Sequence, residues 1–183
     1  MPPLSLYVMD YFEFYGLPLS FQVDEGTLRQ IYLRNSRRYH PDFHTLADAA
    51  QQEEMLRLSS LNNEAFLTLS DPDRRIRYVL ERKGLLGEEG RQPALPPAFL
   101  MDMMDINEGL MELEADPDPA RYEEIRLAVN DLEQQLLEQA GPALQAYSEP
   151  GGLESDLLTV RDYFLKRRYL LRILENLSKF APR

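Results

Sequence analysis

The segment GLLGEEGRQPALPP, residues 84–97, constrains the fold of this 183-residue chain more than any other feature. Its three Gly and three Pro interrupt any helical period, because Gly is costly inside a helix and Pro lacks the backbone N–H. On both sides of the segment apolar residues recur at helical spacing, and no tract has the alternation and turn of a strand pair. We therefore expect an all-α protein with one module over residues 8–83, a linker over 84–96 and a second module over 97–181.

The two sides of this segment also differ in charge. Residues 1–85 carry 10 Lys and Arg against 12 Asp and Glu, whereas residues 86–183 carry 10 against 19, and the whole chain has a net charge of -11. Phosphate binding depends on clustered Lys and Arg, so we expect no nucleic acid and no membrane as a partner. No window approaches the roughly 18 consecutive apolar residues of a membrane span. Residues 1–16 lack a basic leader followed by an apolar run, and we expect a cytoplasmic protein.

The first module contains a helix that a proline must end. Asp24 can cap its start. Pro41 must end it, because proline lacks an N–H and disfavours helical geometry at the preceding residue. The apolar positions of the helix share one face: Leu28, Ile31, Tyr32 and Tyr39.

A second periodic segment stops at Ser70. Asp71 can cap the next helix, which is short, begins at Pro72 and ends at Gly84.

A basic face leads into the tripeptide His40-Pro41-Asp42. Arg34, Arg37 and Arg38 are three and four residues apart, so they share a face that lies about 130° from the apolar face. An imidazole and a carboxylate beside cationic side chains suit docking onto an acidic protein surface. Taken alone, three arginines are equally typical of a solvated face, and Pro-Asp is an ordinary helix stop.

The second module has the pattern of a three-helix bundle with a spare surface stripe. Helices are expected to begin at Pro97, at Asp118-Pro119 and near Leu153, with Gly141-Pro142 kinking or breaking the middle helix and SEPGG, 148–152, forming the last turn. The core of the first helix is expected to contain Phe99, Met103, Ile106, Leu110 and Leu113. The remaining stripe, in which flexible methionine adjoins acidic groups, consists of Leu100, Met101, Met104, Asp105, Glu108 and Glu112. The alternative is that these methionines fill the core.

The tripeptide between two amphipathic helices resembles the HPD motif of the J-domain in DnaJ-type proteins. The resemblance extends to the HscB/Jac-type iron-sulfur co-chaperones through YFEFYGLP at 11–18, RRYHPD at 37–42, LNNEAFLTLSDPDRRIRYVL at 61–80 and FLMDMMDINEGLMELEAD after the linker. It implies that the chain stimulates the ATPase of an HscA/DnaK-type chaperone. The implied chaperone-binding residues are His40, Pro41, Asp42, Arg34, Arg37 and Arg38. Phe43-His44-Thr45 departs from the family, in which lysine often follows HPD.

The same resemblance implies a second interface, which delivers the iron-sulfur scaffold protein IscU to the chaperone and so aids cluster assembly and transfer. In HscB-like proteins the helix after the linker binds the scaffold together with an aromatic residue of the last helix. RRYLLRIL at 167–174 resembles that last-helix segment, with tyrosine where the family commonly has phenylalanine. The implied scaffold-binding residues are Leu100, Met101, Met104, Asp105, Glu108, Glu112 and Tyr169.

Other function classes remain as alternatives. The chain could be a J-protein adaptor for a different client, or a helical interaction protein whose HPD tripeptide has lost its activity. His40 and His44 are the only histidines, Pro41 breaks the helical spacing between them, and there is no cysteine, so we expect no metal site and no cofactor. No Gly-rich phosphate loop, GxSxG turn or HExxH segment occurs, so we do not expect an enzyme.

Overall fold

The computed structural model describes residues 10–87 and 94–181. Within these ranges the chain forms helices and no strand, with one isolated antiparallel bridge between Ser20 and Ser148, which confirms the all-α class. No helix in the described ranges is both long and apolar enough to cross a membrane. The chain divides into two compact units, one comprising Met1–Val79 with Tyr147–Gly152 and the other Leu80–Ala146 with Leu153–Arg183.

The predicted linker and module boundaries fall partly outside the described residues, since positions 8–9 and 88–93 are not among them. The structure describes residues 84–87 and 94–96 of the linker. The φ angle of Gly84 is 68°, a left-handed conformation that glycine adopts at little cost. Its N–H donates to the Glu81 carbonyl over 2.9 Å, which confirms that the preceding helix ends here.

The first unit contains helices whose starts follow the predicted caps. Asp24 accepts a hydrogen bond from the Thr27 N–H over 2.7 Å, and Asp71 accepts one from the Arg74 N–H over 2.9 Å. Pro72 is the first residue of the helix that Asp71 caps, where its missing N–H costs nothing. The helices are α1 (Tyr11–Tyr15), α2 (Glu25–Arg38), α3 (Ala49–Ser70) and α4 (Pro72–Arg82), with a 3-10 turn at Pro41–His44 and the last three residues of α4 in the second unit.

One buried asparagine joins α1, α2 and α3. The Tyr15 hydroxyl lies 2.9 Å from the Asn62 carbonyl oxygen and 3.0 Å from its Oδ1. The Asn62 amide donates to the Tyr32 carbonyl over 3.2 Å and to the Ser36 hydroxyl over 3.1 Å. Burial raises the pKa of the Tyr15 phenol above its ordinary value. The helix pair that carries the HPD turn is therefore held to α1 by a satisfied polar network.

The buried side chain of Arg75 caps the carboxyl end of α3. The Arg75 side chain is buried and donates through Nε to the Phe21 carbonyl over 2.8 Å and through Nη1 to the Leu69 carbonyl. Burial lowers the pKa of Arg75, as expected for a cation moved out of water. The Leu69 carbonyl lies in the last turn of α3 and has no partner within the helix, so the bond from Arg75 satisfies it.

The predicted turn at 148–152 is present, and it packs within the first unit. Tyr147 is buried with its ring 5.3 Å from that of Phe21, and the Ser20 hydroxyl donates to the Tyr147 carbonyl over 3.0 Å. A Cβ at Gly152 would lie 2.6 Å from two carbons of the Tyr147 ring. Glycine is therefore required at 152 by this close approach.

The second unit contains the three predicted helical segments, but the first of them is two helices. A single residue, Met103, interrupts it, and the apolar period continues unchanged on both sides, so the pattern holds no signal for the break. Phe99, Met103, Ile106 and Leu113 are buried as predicted, and Leu110 is half-buried. The helices are α5 (Pro97–Asp102), α6 (Met104–Ala115), α7 (Pro119–Ala146) and α8 (Glu154–Leu177).

The predicted break at Gly141-Pro142 is wrong, because α7 runs through Pro142 without interruption. Proline removes the hydrogen bond to the carbonyl four residues earlier, which here is that of Glu138. Both Pro142 and Glu138 are exposed, so water can replace the missing donor. The other face of the helix, with Ala140, Ala143 and Leu144, stays packed in the core.

Candidate functional site

The HPD tripeptide forms the start of the 3-10 turn that follows α2. His40 caps this turn, since the Asp42 N–H donates to His40 Nδ1 over 3.2 Å. A nitrogen that accepts this bond carries no proton, so the Asp42 carboxylate, 3.8 Å from the same Nδ1, is not paired with it in this tautomer. The Asp42 side chain is 85% exposed and that of His40 52%. The turn thus presents an unneutralised carboxylate to solvent.

Side-chain hydrogen bonds fasten this turn to the helices on both sides. His44 Nε2 lies 2.8 Å from the Arg38 carbonyl oxygen. A carbonyl can only accept, so this nitrogen carries the proton. On the other side, the Gln52 amide donates to the carbonyls of Thr45 and Ala47 over 3.2 and 3.0 Å. The turn is therefore held between the end of α2 and the first turn of α3.

The three arginines of α2 lie together on its exposed face. Arg34, Arg37 and Arg38 line a shallow depression of about 580 Å³ together with Gln30 and Leu33. The Arg38 guanidinium lies 5.6 Å from the centroid of the Tyr39 ring. Among the residues that the structure describes, none of the three arginines forms an ion pair with a carboxylate. They therefore remain charged groups available to an acidic partner.

The stripe on the second unit lies on the exposed side of α5 and α6. Met101 is 70% exposed and Met104 56%, whereas Met103 between them is 0% exposed. This contrast rules out the alternative in which the stripe methionines fill the core. The remaining stripe residues are also exposed: Leu100, Asp105, Glu108 and Glu112. Their role in binding stays a prediction.

Gly109 of α6 lies close to side chains of α7. A Cβ at Gly109 would lie 2.7 Å from Ile125 Cδ1 and 2.9 Å from Arg121 Nη2. Arg121 donates to Glu124 over 2.8 Å and to Glu112 over 3.0 Å. The two carboxylates raise the pKa of the Arg121 guanidinium, and Glu124 has the larger effect. The carboxylate of Glu112 is thus partly engaged by α7.

Tyr169 of α8 lies beside α5 and α6. Its hydroxyl accepts a hydrogen bond from the Asn107 amide over 3.0 Å, and its ring meets that of Phe99 edge-on at 5.8 Å. The Arg172 guanidinium lies 5.6 Å from the ring centroid. The tyrosine is half-buried. The structure therefore brings the aromatic of the last helix to the helices that carry the stripe.

Sequence reasoning missed four side chains that position these sites: His44, Gln52, Asn107 and Arg172. Gln52 is at an exposed helix position and Asn107 at a half-buried one, and neutral amides have no pattern that distinguishes them. Each contact depends on where a turn or a second helix places its partner. The resemblance to a family was the signal for Tyr169, and nothing comparable marked Asn107.

Both histidines at the HPD turn make a hydrogen bond within the protein. His44 Nε2 bonds the Arg38 carbonyl and His40 Nδ1 accepts from the Asp42 N–H. No group of three His, Asp or Glu side chains in the described ranges has the arrangement of a metal site.

Comparison with known proteins links most of the chain to one family. The family model described as HSCB C-terminal oligomerisation domain matches residues 95–178. A co-chaperone protein HscB homolog of Ralstonia nicotianae is 36% identical over 105 residues, which are 57% of this chain and 60% of the relative. The homolog of Aeromonas hydrophila is 30% identical over 175 residues, 94% of this chain and 96% of the relative. The solved structure of chaperone HscB from Vibrio cholerae matches with a TM-score of 0.63 and 26% identity, covering 93% of this chain and 96% of that one.

Proposed function

Because the chain belongs to the HscB family of co-chaperones, we propose that it stimulates the ATPase of an HscA/DnaK-type chaperone and delivers an IscU-type iron-sulfur scaffold protein to it. One observation carries the first part of the proposal. The Asp42 carboxylate is exposed on a turn that is fastened to the end of α2, and the arginines of that helix form one charged face.

The first unit acts on the chaperone in two steps. The arginine face attracts an acidic surface, which raises the rate of encounter and orients the two proteins. Asp42 then competes for a charged contact within the chaperone. The co-chaperone favours the hydrolysis-competent conformation because it binds that conformation more tightly than the other. ATP hydrolysis takes place in the partner, so the chain supplies no catalytic group of its own.

The second unit holds the scaffold. Exposed Leu100, Met101 and Met104 offer an apolar surface that adapts its shape, since methionine is unbranched and flexible. Asp105 and Glu108 are exposed beside it and form no ion pair among the described residues. Carboxylates at the edge of an apolar patch exclude wrong partners and fix orientation more than they add affinity. Delivery follows when both surfaces are occupied, which places the scaffold beside the chaperone and aids cluster assembly and transfer.

The test is the steady-state ATPase rate of a purified HscA/DnaK-type chaperone, measured with and without this protein and with and without an IscU-type scaffold. We expect this protein to raise the rate, and the scaffold to raise it further only when this protein is present. No stimulation in any combination contradicts the co-chaperone proposal. Stimulation that the scaffold never changes, together with no binding of the scaffold, contradicts the client assignment and favours an adaptor for a different client.

A further inference from the structure

Two large apolar side chains are exposed at the HPD turn. Phe43, directly after Asp42, is 73% exposed, and Leu46, two residues beyond the turn, is 101% exposed. Scattered exposed leucines are normal on protein surfaces. Here, however, an exposed phenylalanine and a fully exposed leucine lie three residues apart in one short segment. That segment adjoins the charged groups through which the chain is proposed to dock.

Contacts within the protein hold the backbone of this segment. The Phe43 N–H donates to the His40 carbonyl over 3.1 Å, and the two rings meet edge-on with centroids 5.6 Å apart. Gln52 bonds the carbonyls on either side of Leu46, those of Thr45 and Ala47. A pre-ordered apolar group loses less entropy on binding than one on a mobile loop. The exposed side chains of Phe43 and Leu46 therefore project from a backbone that is held in place, as anchor residues require.

We propose that Phe43 and Leu46 form an apolar half of the chaperone-docking surface and occupy an apolar recess that borders the acidic surface of the ATPase chaperone. This inference rests on the proposed function, since it names the chemistry of the same partner. Complementarity defines that partner surface: acidic groups opposite Arg34, Arg37 and Arg38, and an uncharged recess opposite the 3-10 turn. Salt screens the contacts between the arginines and the acidic groups, whereas it does not screen the apolar contacts of Phe43 and Leu46.

Phe43→Lys separates this proposal from a purely electrostatic surface, because the two predict opposite signs. If docking depends on charge alone, an added cation beside Asp42 tightens it. If Phe43 fills an apolar recess, the lysine weakens it, since a charged group would lose its hydration there. The experiment titrates the wild type and Phe43→Lys against the ATPase of an HscA/DnaK-type chaperone at about 0.15 M salt, where the Debye length is roughly 8 Å.

A second variant, Phe43→Ser with Leu46→Ser, removes both anchors. We expect the half-saturating concentration to rise about 30-fold, the loss typical of buried hot-spot residues. The maximal stimulation is expected to remain, because Asp42 is intact. The matched control is Leu67→Ser, which removes a leucine that is 56% exposed near the far end of α3, about 27 Å along the helix from its start at 1.5 Å per residue. Thermal unfolding midpoints near that of the wild type are expected for all three variants, since the altered side chains are exposed.

Asp42→Asn tests the proposed function itself, because it is expected to lower the maximal stimulation of the ATPase. A higher half-saturating concentration for the Phe43 variants, with Leu67→Ser unchanged, supports the inference. Unchanged or tighter docking by Phe43→Lys and by the double variant, while Asp42→Asn lowers the maximal stimulation, overturns the inference and leaves the proposed function in place. Absence of stimulation by the wild type overturns both.

Discussion

His44 Nε2 donates to the Arg38 carbonyl oxygen over 2.8 Å, so the imidazole satisfies a carbonyl at the end of α2 that has no partner within the helix. The bond spans the HPD tripeptide from one side to the other. The bond therefore restrains the turn that carries Asp42 relative to the end of α2. A histidine outside the motif thus helps to position Asp42, the residue that is proposed to carry the stimulation of the ATPase.

The first prediction concerns this bond. His44→Ala is expected to raise the half-saturating concentration for ATPase stimulation about fivefold, because one intramolecular hydrogen bond contributes about 1 kcal/mol and the turn must then be ordered on binding. His44→Gln keeps an N–H donor and is expected to restore most of the affinity. Titration of the chaperone with each variant measures the effect. Equal values for His44→Ala and the wild type contradict the positioning role.

The second prediction concerns the arginine face. Arg37→Glu is expected to weaken docking at low salt, with the difference from the wild type shrinking as salt passes about 0.15 M, since exposed charges separated by more than a Debye length are screened. Association rates measured by stopped flow over a salt series give the result. Arg29→Glu, on the same helix outside the depression that the three arginines line, is the control. Salt-independent association, or an equal effect at Arg29, counts against the basic face.

The third prediction concerns the stripe on α5 and α6. The full-length triple variant Leu100→Ala, Met101→Ala, Met104→Ala is expected to lose about 30-fold or more in affinity for an IscU-type scaffold, since truncating hot-spot residues costs about 2 kcal/mol or more. Its unfolding midpoint is expected to stay near that of the wild type, because these side chains are exposed. Calorimetric titration measures the affinity.

The control for the stripe is the pair Leu127→Ala and Leu137→Ala, which removes two comparably exposed leucines from α7. We expect this variant to bind the scaffold as the wild type does. Normal binding by the triple variant, or equal loss by the control pair, would place the scaffold interface elsewhere.

The fourth prediction concerns the stability of the first unit. Asn62→Ala is expected to lower the free energy of unfolding by about 1–3 kcal/mol. The substitution removes the buried side-chain amide of α3 that hydrogen-bonds α1 and α2, and it leaves the buried partners of that amide unsatisfied. Urea denaturation gives the value. Asn63→Ala is the matched control, since its exposed side chain bonds the Tyr32 hydroxyl at 3.2 Å. A change below about 0.5 kcal/mol for Asn62→Ala, the range typical of surface substitutions, is incompatible with the network.

The sequence predicts those parts of the fold that depend on neighbouring residues. Asp24 and Asp71 cap helices because their own side chains reach the first turns. Pro41 ends α2 through its ring and its missing N–H. The exposure of Met101 and Met104 follows from the helical period, and this period also places Met103 in the core.

The features that the sequence does not predict depend on tertiary contacts. Pro142 stays inside α7 because the packed face of that helix outweighs one lost hydrogen bond at the exposed residue Glu138. The turn at 148–152 packs within the first unit because Tyr147 is buried beside Phe21, 126 positions earlier in the chain. The bond between Asn107 and Tyr169 likewise joins two helices that no local pattern relates.

Asp42→Asn tests the central claim most directly, because it removes one exposed charge and conserves the size of the side chain. The measurement is single-turnover ATP hydrolysis by an HscA/DnaK-type chaperone preloaded with ATP, with saturating wild type or variant and with or without an IscU-type scaffold. We predict that the wild type accelerates hydrolysis and that Asp42→Asn does not, while the variant still binds the scaffold with wild-type affinity and unfolds at the same temperature. Equal acceleration by wild type and Asp42→Asn would contradict the account.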